Sequence, residues 1–232
     1  MSVSLISYTN PAKLELNSEY LPAHLNFQKL ITFCARVSNP NNQDNSETGE
    51  KLLSYLIKHQ HWSPFEMVNV CLEIETTRDI ARQILRHRSF SFQEFSQRYA
   101  DPVKELNFVT REARLQDRTN RQNSVEVDDD LLRIEWEWAQ KRVLWAVKKE
   151  YEWAIKKGIA KEQARAILPE GLTMSRMYMN GTLRSWIHYI QLRTDKATQK
   201  EHREIALECL QKWSIIFPLI KTLGDRDEAK NI

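Results

Sequence analysis

Apolar and polar residues alternate through MVNVCLEIETT (67–77). Val68, Val70, Leu72 and Ile74 fall on one side, Asn69, Cys71, Glu73 and Glu75 on the other. A period of two predicts a strand with one face in a core and one toward water. VSLISY (3–8) reads as a first strand, and TMSRMYMN (173–180) alternates weakly as another. Helical spacing dominates elsewhere. Residues 26–37 predict a helix with Leu30, Phe33 and Cys34 on one side, and 51–60 a short amphipathic helix. In 77–88, Thr76 or Thr77 is placed to cap a helix whose apolar side is Ile80, Ala81, Ile84 and Leu85. Residues 131–157 predict a long helix carrying Leu131, Ile134, Trp138, Trp145 and Trp153, and about 160–168 a further one. Asn180-Gly181 predicts a turn, Thr182 caps LRSWIHYIQLR (183–193), and Asp195 caps a last helix through Trp213. Residues 38–50 and 116–130 are polar and predict surface loops, and GDRDEAKNI (224–232) a frayed end. The pattern predicts an α/β (α+β) architecture: a helix-rich single domain over 1–232, with an antiparallel or mixed sheet.

Composition narrows the function classes. At 232 residues the chain suits one well-packed domain. No run of 18 apolar residues occurs, and the start shows no basic segment followed by a long apolar one, so neither a membrane helix nor a secretory signal is expected. A net charge of +3 does not by itself imply a nucleic-acid partner. Only five glycines are present, and neither G-x-G-x-x-G nor a Walker loop can be drawn through them. Any nucleotide must be held largely by side chains. Three widely spaced cysteines, Cys34, Cys71 and Cys209, suit a reducing cytoplasm better than a disulfide framework. Cys34 and Cys209 lie in apolar helix patterns and read as small core residues. No Cys/His cluster has zinc-ligand spacing, so no metal is expected. Trp136, Trp138, Trp145 and Trp153 read as core or interface residues.

The chemistry-bearing segment is QILRHRSFSFQEFSQRY (83–99). On a helix Gln83, Arg86 and His87 share a face, and Arg86, His87 and Arg88 arrive together near its C-terminus. Basic residues there also complement the helix dipole. If 93–99 is extended, Glu94, Ser96 and Arg98 point one way and Gln93, Phe95, Gln97 and Tyr99 the other. An acceptor, a hydroxyl and a guanidinium on one side can grip a phosphate or a pyrimidine edge. The same alternation also suits a solvated strand face bridged by Glu94 and Arg98.

This segment resembles the signature of the flavin-dependent thymidylate synthases. R-H-R-x7-S is met by Arg86, His87, Arg88 and Ser96, and the longer form by Ser91, Glu94, Arg98 and Tyr99 as well, with Gln93 where Asn is usual. CARVS (34–38), HWSPFEM (61–67), ARAILP (164–169) and LRSWIHYIQLR (183–193) are similar to further elements of that family, in the same order. The resemblance spans about residues 30–200 and implies reductive methylation of dUMP to dTMP. It implies FAD as cofactor, with NADPH and methylene-tetrahydrofolate as co-substrates, in a cytoplasmic homotetramer with shared sites. It implies no cysteine nucleophile, so uracil is activated by fixed charge.

By motif matching, Arg193 resembles the arginine that activates the pyrimidine, and Gln83, Arg86, Glu94, Phe95, Ser96, Gln97, Arg98 and Arg165 resemble the other dUMP contacts. Ser63, Arg86, His87, Arg88, Glu94, Thr182, Leu183, Arg184 and His188 resemble the FAD contacts, with Asn180 an alternative to Thr182, and His61 and Glu66 alongside. Read without the family, Arg193 is a C-terminal helix cation beside Asp195, Arg165 a solvent-facing helix charge, and His61 a loop histidine packed on Trp62. Two other functions stay open: a relative that leaves a hydroxymethyl or other modified pyrimidine nucleotide, and a nucleic-acid module stacking bases on Phe90, Phe92 and Phe95.

Overall fold

The computed structural model describes residues 1–12, 23–45 and 47–223. The strands and helices, in chain order, are β1 (Ser2–Tyr8), α1 (Ala23–Ala35), α2 (Gly49–Lys58), β2 (Asn69–Thr77), α3 (Arg78–Ile84), β3 (Ser91–Glu94), α4 (Pro102–Glu105), β4 (Arg114–Gln116), β5 (Ser124–Glu126), α5 (Asp130–Lys156), α6 (Lys161–Ala164), β6 (Met174–Thr182), α7 (Leu183–Arg193) and α8 (Lys200–Ile216). A four-stranded sheet runs β1-β2-β6-β3, and all its pairings are antiparallel. Among the described residues no helix is long and apolar enough to cross a membrane.

The alternation in β2 builds the core as expected. Val70, Leu72 and Ile74 are buried and stand in register with Gly181, Met179 and Met177 of β6. Ile187, Ile190, Ile205, Ala206, Cys209 and Trp213 of α7 and α8 belong to the same buried cluster. Trp186 is fully buried, and its indole N–H donates to the Val70 carbonyl at 3.1 Å, so its one polar atom is satisfied. The opposite sheet face is polar, and there Arg176 grips Glu75 with 2.7 Å from Nε to Oε1. A second, smaller cluster of Tyr151, Ala154, Ala164 and Leu168 seats the C-terminal part of α5. The outer side of α5 leaves Leu131, Ile134, Trp138, Trp145 and Trp153 exposed, so these residues are not core within one chain.

Several local expectations are corrected. The α1 side that faces the core is Phe27 and Ile31, both fully buried, with Leu30 packed beside them; Phe33 and Cys34 are only half-buried. α3 ends at Ile84, because the N–H of Arg86 and of His87 turns back to the carbonyl three residues earlier. The tightened turn swings Phe90 into the core against Trp186, at 4.9 Å between ring centroids. Thr77 occupies the N-cap position of α3, but its hydroxyl donates to Asp79 instead of capping. The extended run stops at Glu94, and the Ser96 carbonyl accepts from Tyr99 and Ala100, so the two-sided alternation through Tyr99 is lost. The expected loop at 116–130 instead takes part in a hairpin of β4 and β5 that begins at Arg114, and its turn is closed by Asp117 accepting from Thr119 and Asn120. The helix expected at 160–168 is the short α6 followed by a 3-10 turn over Arg165–Ile167. Asp195 accepts from the N–H of Ala197 in a local turn, and α8 begins at Lys200. Residues 224–232 lie outside the described residues.

Asn180 and Gly181 form no turn; both sit inside β6, paired with Cys71 and Val70. Gly181 is there for clearance. A Cβ on it would lie 2.4 Å from Cδ1 of Phe90, whose ring is held by Trp186 and Phe92. Gly181→Ala is therefore expected to destabilise the fold by about 1–3 kcal/mol, the usual cost of overpacking a fixed core. Urea unfolding measures it, and Phe90→Leu in the same chain should recover part of the loss.

Candidate active site

Two helices, α3 and α7, bring one group of the expected residues together. α7 ends at Arg193, and Thr194 closes it by donating both its N–H and its hydroxyl to the Ile190 carbonyl. Arg193 is thus the basic residue of a last helical turn. Its side chain does not pair with Asp195. Its Nε–H instead donates to Nε2 of His87 at 2.9 Å, in the turn that follows α3. The His87 ring stands edge-on to Tyr189 at 4.9 Å. Burial and the adjacent Arg193 push its pKa down to about 4, so the ring is neutral and can accept. Gln83, from the last turn of α3, and Arg193 line a cavity of about 490 Å³ with Leu192, Asp195, Thr198 and Gln199.

A larger hollow of about 540 Å³ adjoins it, sharing Gln122, Thr198 and Gln199. Much of its positive charge is already paired: Arg111 with Asp79 at 2.7 Å, Lys200 with Glu112 at 2.6 Å, and Arg114 with Glu201.

The other expected residues lie in separate groups. Glu94, at the end of β3, accepts from the Ser175 hydroxyl at 2.8 Å and faces Arg78 at 3.5 Å, which ties the edge strand to β6 and α3. Arg86 and Arg88 are exposed and carry no ion pair among the described residues. Thr182 caps α7 by accepting from the Ser185 N–H, while Arg184 reaches Glu66 at 2.6 Å. His188 is edge-on to Trp62 at 5.2 Å, and burial with Arg184 nearby lowers its pKa. Ser63 is exposed, Asn180 likewise, and the Leu183 side chain is fully buried in the core. Phe95 is half-buried, its N–H bonded to the Arg176 carbonyl. Ser96 turns the chain, Gln97 is buried with Nε2 unpartnered among the described residues, and Arg98 pairs with Glu162 at 3.2 Å. Arg165 donates to the Glu162 carbonyl at 3.3 Å. No hydrogen bond or ion pair among the described residues joins the Arg193, Glu94, Arg184 and Arg98 groups to one another.

The sequence reading missed Tyr189, Gln199 and His202, which surround Gln83 and His87. His202 carried a legible signal. It lies on the buried stripe of α8 with Ile205, Ala206, Cys209 and Trp213, a polar residue where an apolar one is expected.

His202 is fully buried, and burial, Arg193 and His87 push its pKa down to about 3. Both imidazoles are depressed below the ordinary value near 6.5 that they regain on unfolding. The unfolded chain then binds protons that the folded chain refuses, so stability is full above about pH 6.5 and falls as the pH drops toward 4. His202→Leu should reduce the number of protons taken up on unfolding near pH 5 by about one, read from the slope of unfolding free energy against pH.

Comparison with known proteins gives the family of the chain. The family model described as thymidylate synthase complementing protein (Thy1) matches residues 20–219. The flavin-dependent thymidylate synthase of Synechocystis sp. is 49% identical over 220 residues, covering 95% of this chain and 97% of that protein. The probable flavin-dependent thymidylate synthase of Paramecium bursaria Chlorella virus 1 is 45% identical over the same shares. In fold, the chain is similar to a UMP/dUMP methylase, PolB from Streptomyces cacaoi, solved with 5-Br dUMP. That match has a TM-score of 0.74 and 22% identity, and covers 96% of this chain and 93% of that one. From the family match over residues 20–219 and the near-full-length relatives, the chain belongs to the Thy1 family, together with the flavin-dependent thymidylate synthases.

Proposed function

We infer that this chain methylates dUMP to dTMP with a flavin, as one domain over residues 1–232. In this reading methylene-tetrahydrofolate is the carbon donor, NADPH the reductant, and the cytoplasm the compartment. One observation carries the chemistry: Arg193 is anchored through its Nε to a neutral imidazole, which leaves its two terminal nitrogens without a partner among the described residues, beside Gln83 and the cavity. A guanidinium held this way can face the pyrimidine carbonyls and stabilise the negative charge that builds on the ring as C5 becomes nucleophilic. The three thiols support activation by charge. Burial pushes each of them up, away from the thiolate form, and none lines the cavity.

The residues present suit FAD. Arg86 and Arg88 offer two exposed guanidinium groups with no ion pair among the described residues, the donor chemistry that a pyrophosphate requires. Ser63, His87, Glu94, Thr182, Leu183, Arg184 and His188 complete the proposed flavin set. When bound, the flavin supplies hydride chemistry that no side chain can. For dUMP the proposed set is Gln83, Arg86, Glu94, Phe95, Ser96, Gln97, Arg98, Arg165 and Arg193. The buried, unpartnered Nε2 of Gln97 is a donor in want of an acceptor, which supports its place there.

A homotetramer with shared sites is part of the reading. The proposed contacts fall into separate groups on one chain, and α5 presents Leu131, Ile134, Trp138, Trp145 and Trp153 to the outside. Adjacent copies would cover that stripe and bring the groups together.

Purified protein is expected to take up FAD, and dUMP to perturb the visible spectrum of the bound flavin. Arg193→Ala should keep the flavin and form dTMP more slowly by roughly 10²–10³-fold, the loss expected for a charge-stabilising group. Protein that cannot bind flavin, or an alanine variant that turns over at the wild-type rate, would overturn the reading.

A further inference from the structure

Gln83 sits within a hydrogen-bond chain whose direction is set from one end. Glu201 is 5% exposed; Arg114 donates to its Oε1, and Gln199 Nε2 donates to its Oε2 at 2.9 Å. An ionised carboxylate only accepts. Gln199 therefore gives its amide nitrogen to Glu201 and turns its oxygen to Gln83, whose Nε2 donates to it at 2.8 Å. The Gln83 oxygen is left facing Nδ1 of His202 at 3.2 Å, so the imidazole carries its hydrogen there. A neutral ring has a single N–H, so Nε2 accepts, and the partner within reach is the Tyr189 hydroxyl at 3.2 Å. The low pKa of His202 agrees with a neutral ring. Each group in the run from Tyr189 to Glu201 has one polarity open to it.

We propose that His202 is a positioning residue for the pyrimidine site: its Nδ1–H holds the Gln83 amide in the flip state that Glu201 sets through Gln199, at the cavity that Gln83 shares with Arg193. The inference rests on the function above, with Gln83 as a dUMP contact. Once its oxygen is turned to His202 and one amide hydrogen to Gln199, Gln83 keeps one N–H and one lone pair for a ligand, in a set order. A uracil edge alternates acceptor, donor, acceptor, so a flipped amide would meet it in reverse. The charged Glu201–Arg114 pair thereby selects, at a distance, the face that Gln83 shows to the base.

The test uses the flavin-loaded protein and dUMP itself. His202→Leu should retain FAD and weaken dUMP binding about tenfold, the worth of one hydrogen bond. His202→Asn, whose amide nitrogen falls where Nδ1 was, should bind within about threefold of wild type. In a Gln83→Ala background, His202→Leu should cost nothing more, because the group it positions is gone. Wild-type dUMP affinity in the leucine variant, or a further tenfold loss in the double variant, would overturn the proposal. Nitrogen-15 NMR of histidine-labelled wild-type protein, without any nucleotide, should show hydrogen on Nδ1 and a bare Nε2. The opposite tautomer would break the chain of donors even if every variant failed to fold. If wild-type protein bound flavin but no dUMP, the function reading itself would fall, and with it the ligand that Gln83 is positioned for. The tautomer measurement tells the two failures apart.

Discussion

An uncharged imidazole under an arginine is the contact on which the candidate site depends. Were His87 protonated, it would repel Arg193 and lose the lone pair that takes the Nε–H. The protein keeps it neutral by burial against Tyr189 and Phe90 and by the arginine's own charge. The cation therefore helps maintain the neutrality of its own anchor. With Nε tied down, the guanidinium plane is restrained while its outer nitrogens keep their full charge for a ligand.

Much of the sheet and most helices were legible because burial there is one-sided. Val70, Leu72 and Ile74 face a core while Asn69, Glu73 and Glu75 do not, and period two follows directly. Where the reading failed, tertiary contacts outweighed local preference. Asn-Gly reads as a turn in isolation, yet Gly181 is a strand residue because Phe90 occupies the space its side chain would fill. Arg86 and His87 read as helix, yet the chain leaves the helix to bury Phe90. The hairpin of β4 and β5 was illegible because both strands are largely exposed and show no apolar period. The motif located Arg193, His87 and Gln83. It could not show that His87 receives Arg193, or that His202 stands behind Gln83, since those contacts join positions more than a hundred residues apart.

Sheet and site share structural elements. Phe90 packs over Gly181 in the sheet and lies within 6.5 Å of His87, and Trp186 and Tyr189 close the ring of aromatics around it. Interiors packed to this degree transmit displacement instead of absorbing it. A small volume change in β6 is thus felt at the anchor of Arg193, so the architecture and the chemistry cannot vary independently at this point.

Six of the seven tryptophans divide into two optical populations. Trp186 and Trp213 are sealed in the core, whereas Trp136, Trp138, Trp145 and Trp153 stand in solvent along a single helix. Emission from the first pair reports whether the chain is folded, and emission from the second set, shifting blue as water is displaced, reports what has settled against α5. The protein carries its own fluorescent label for association, with no dye attached.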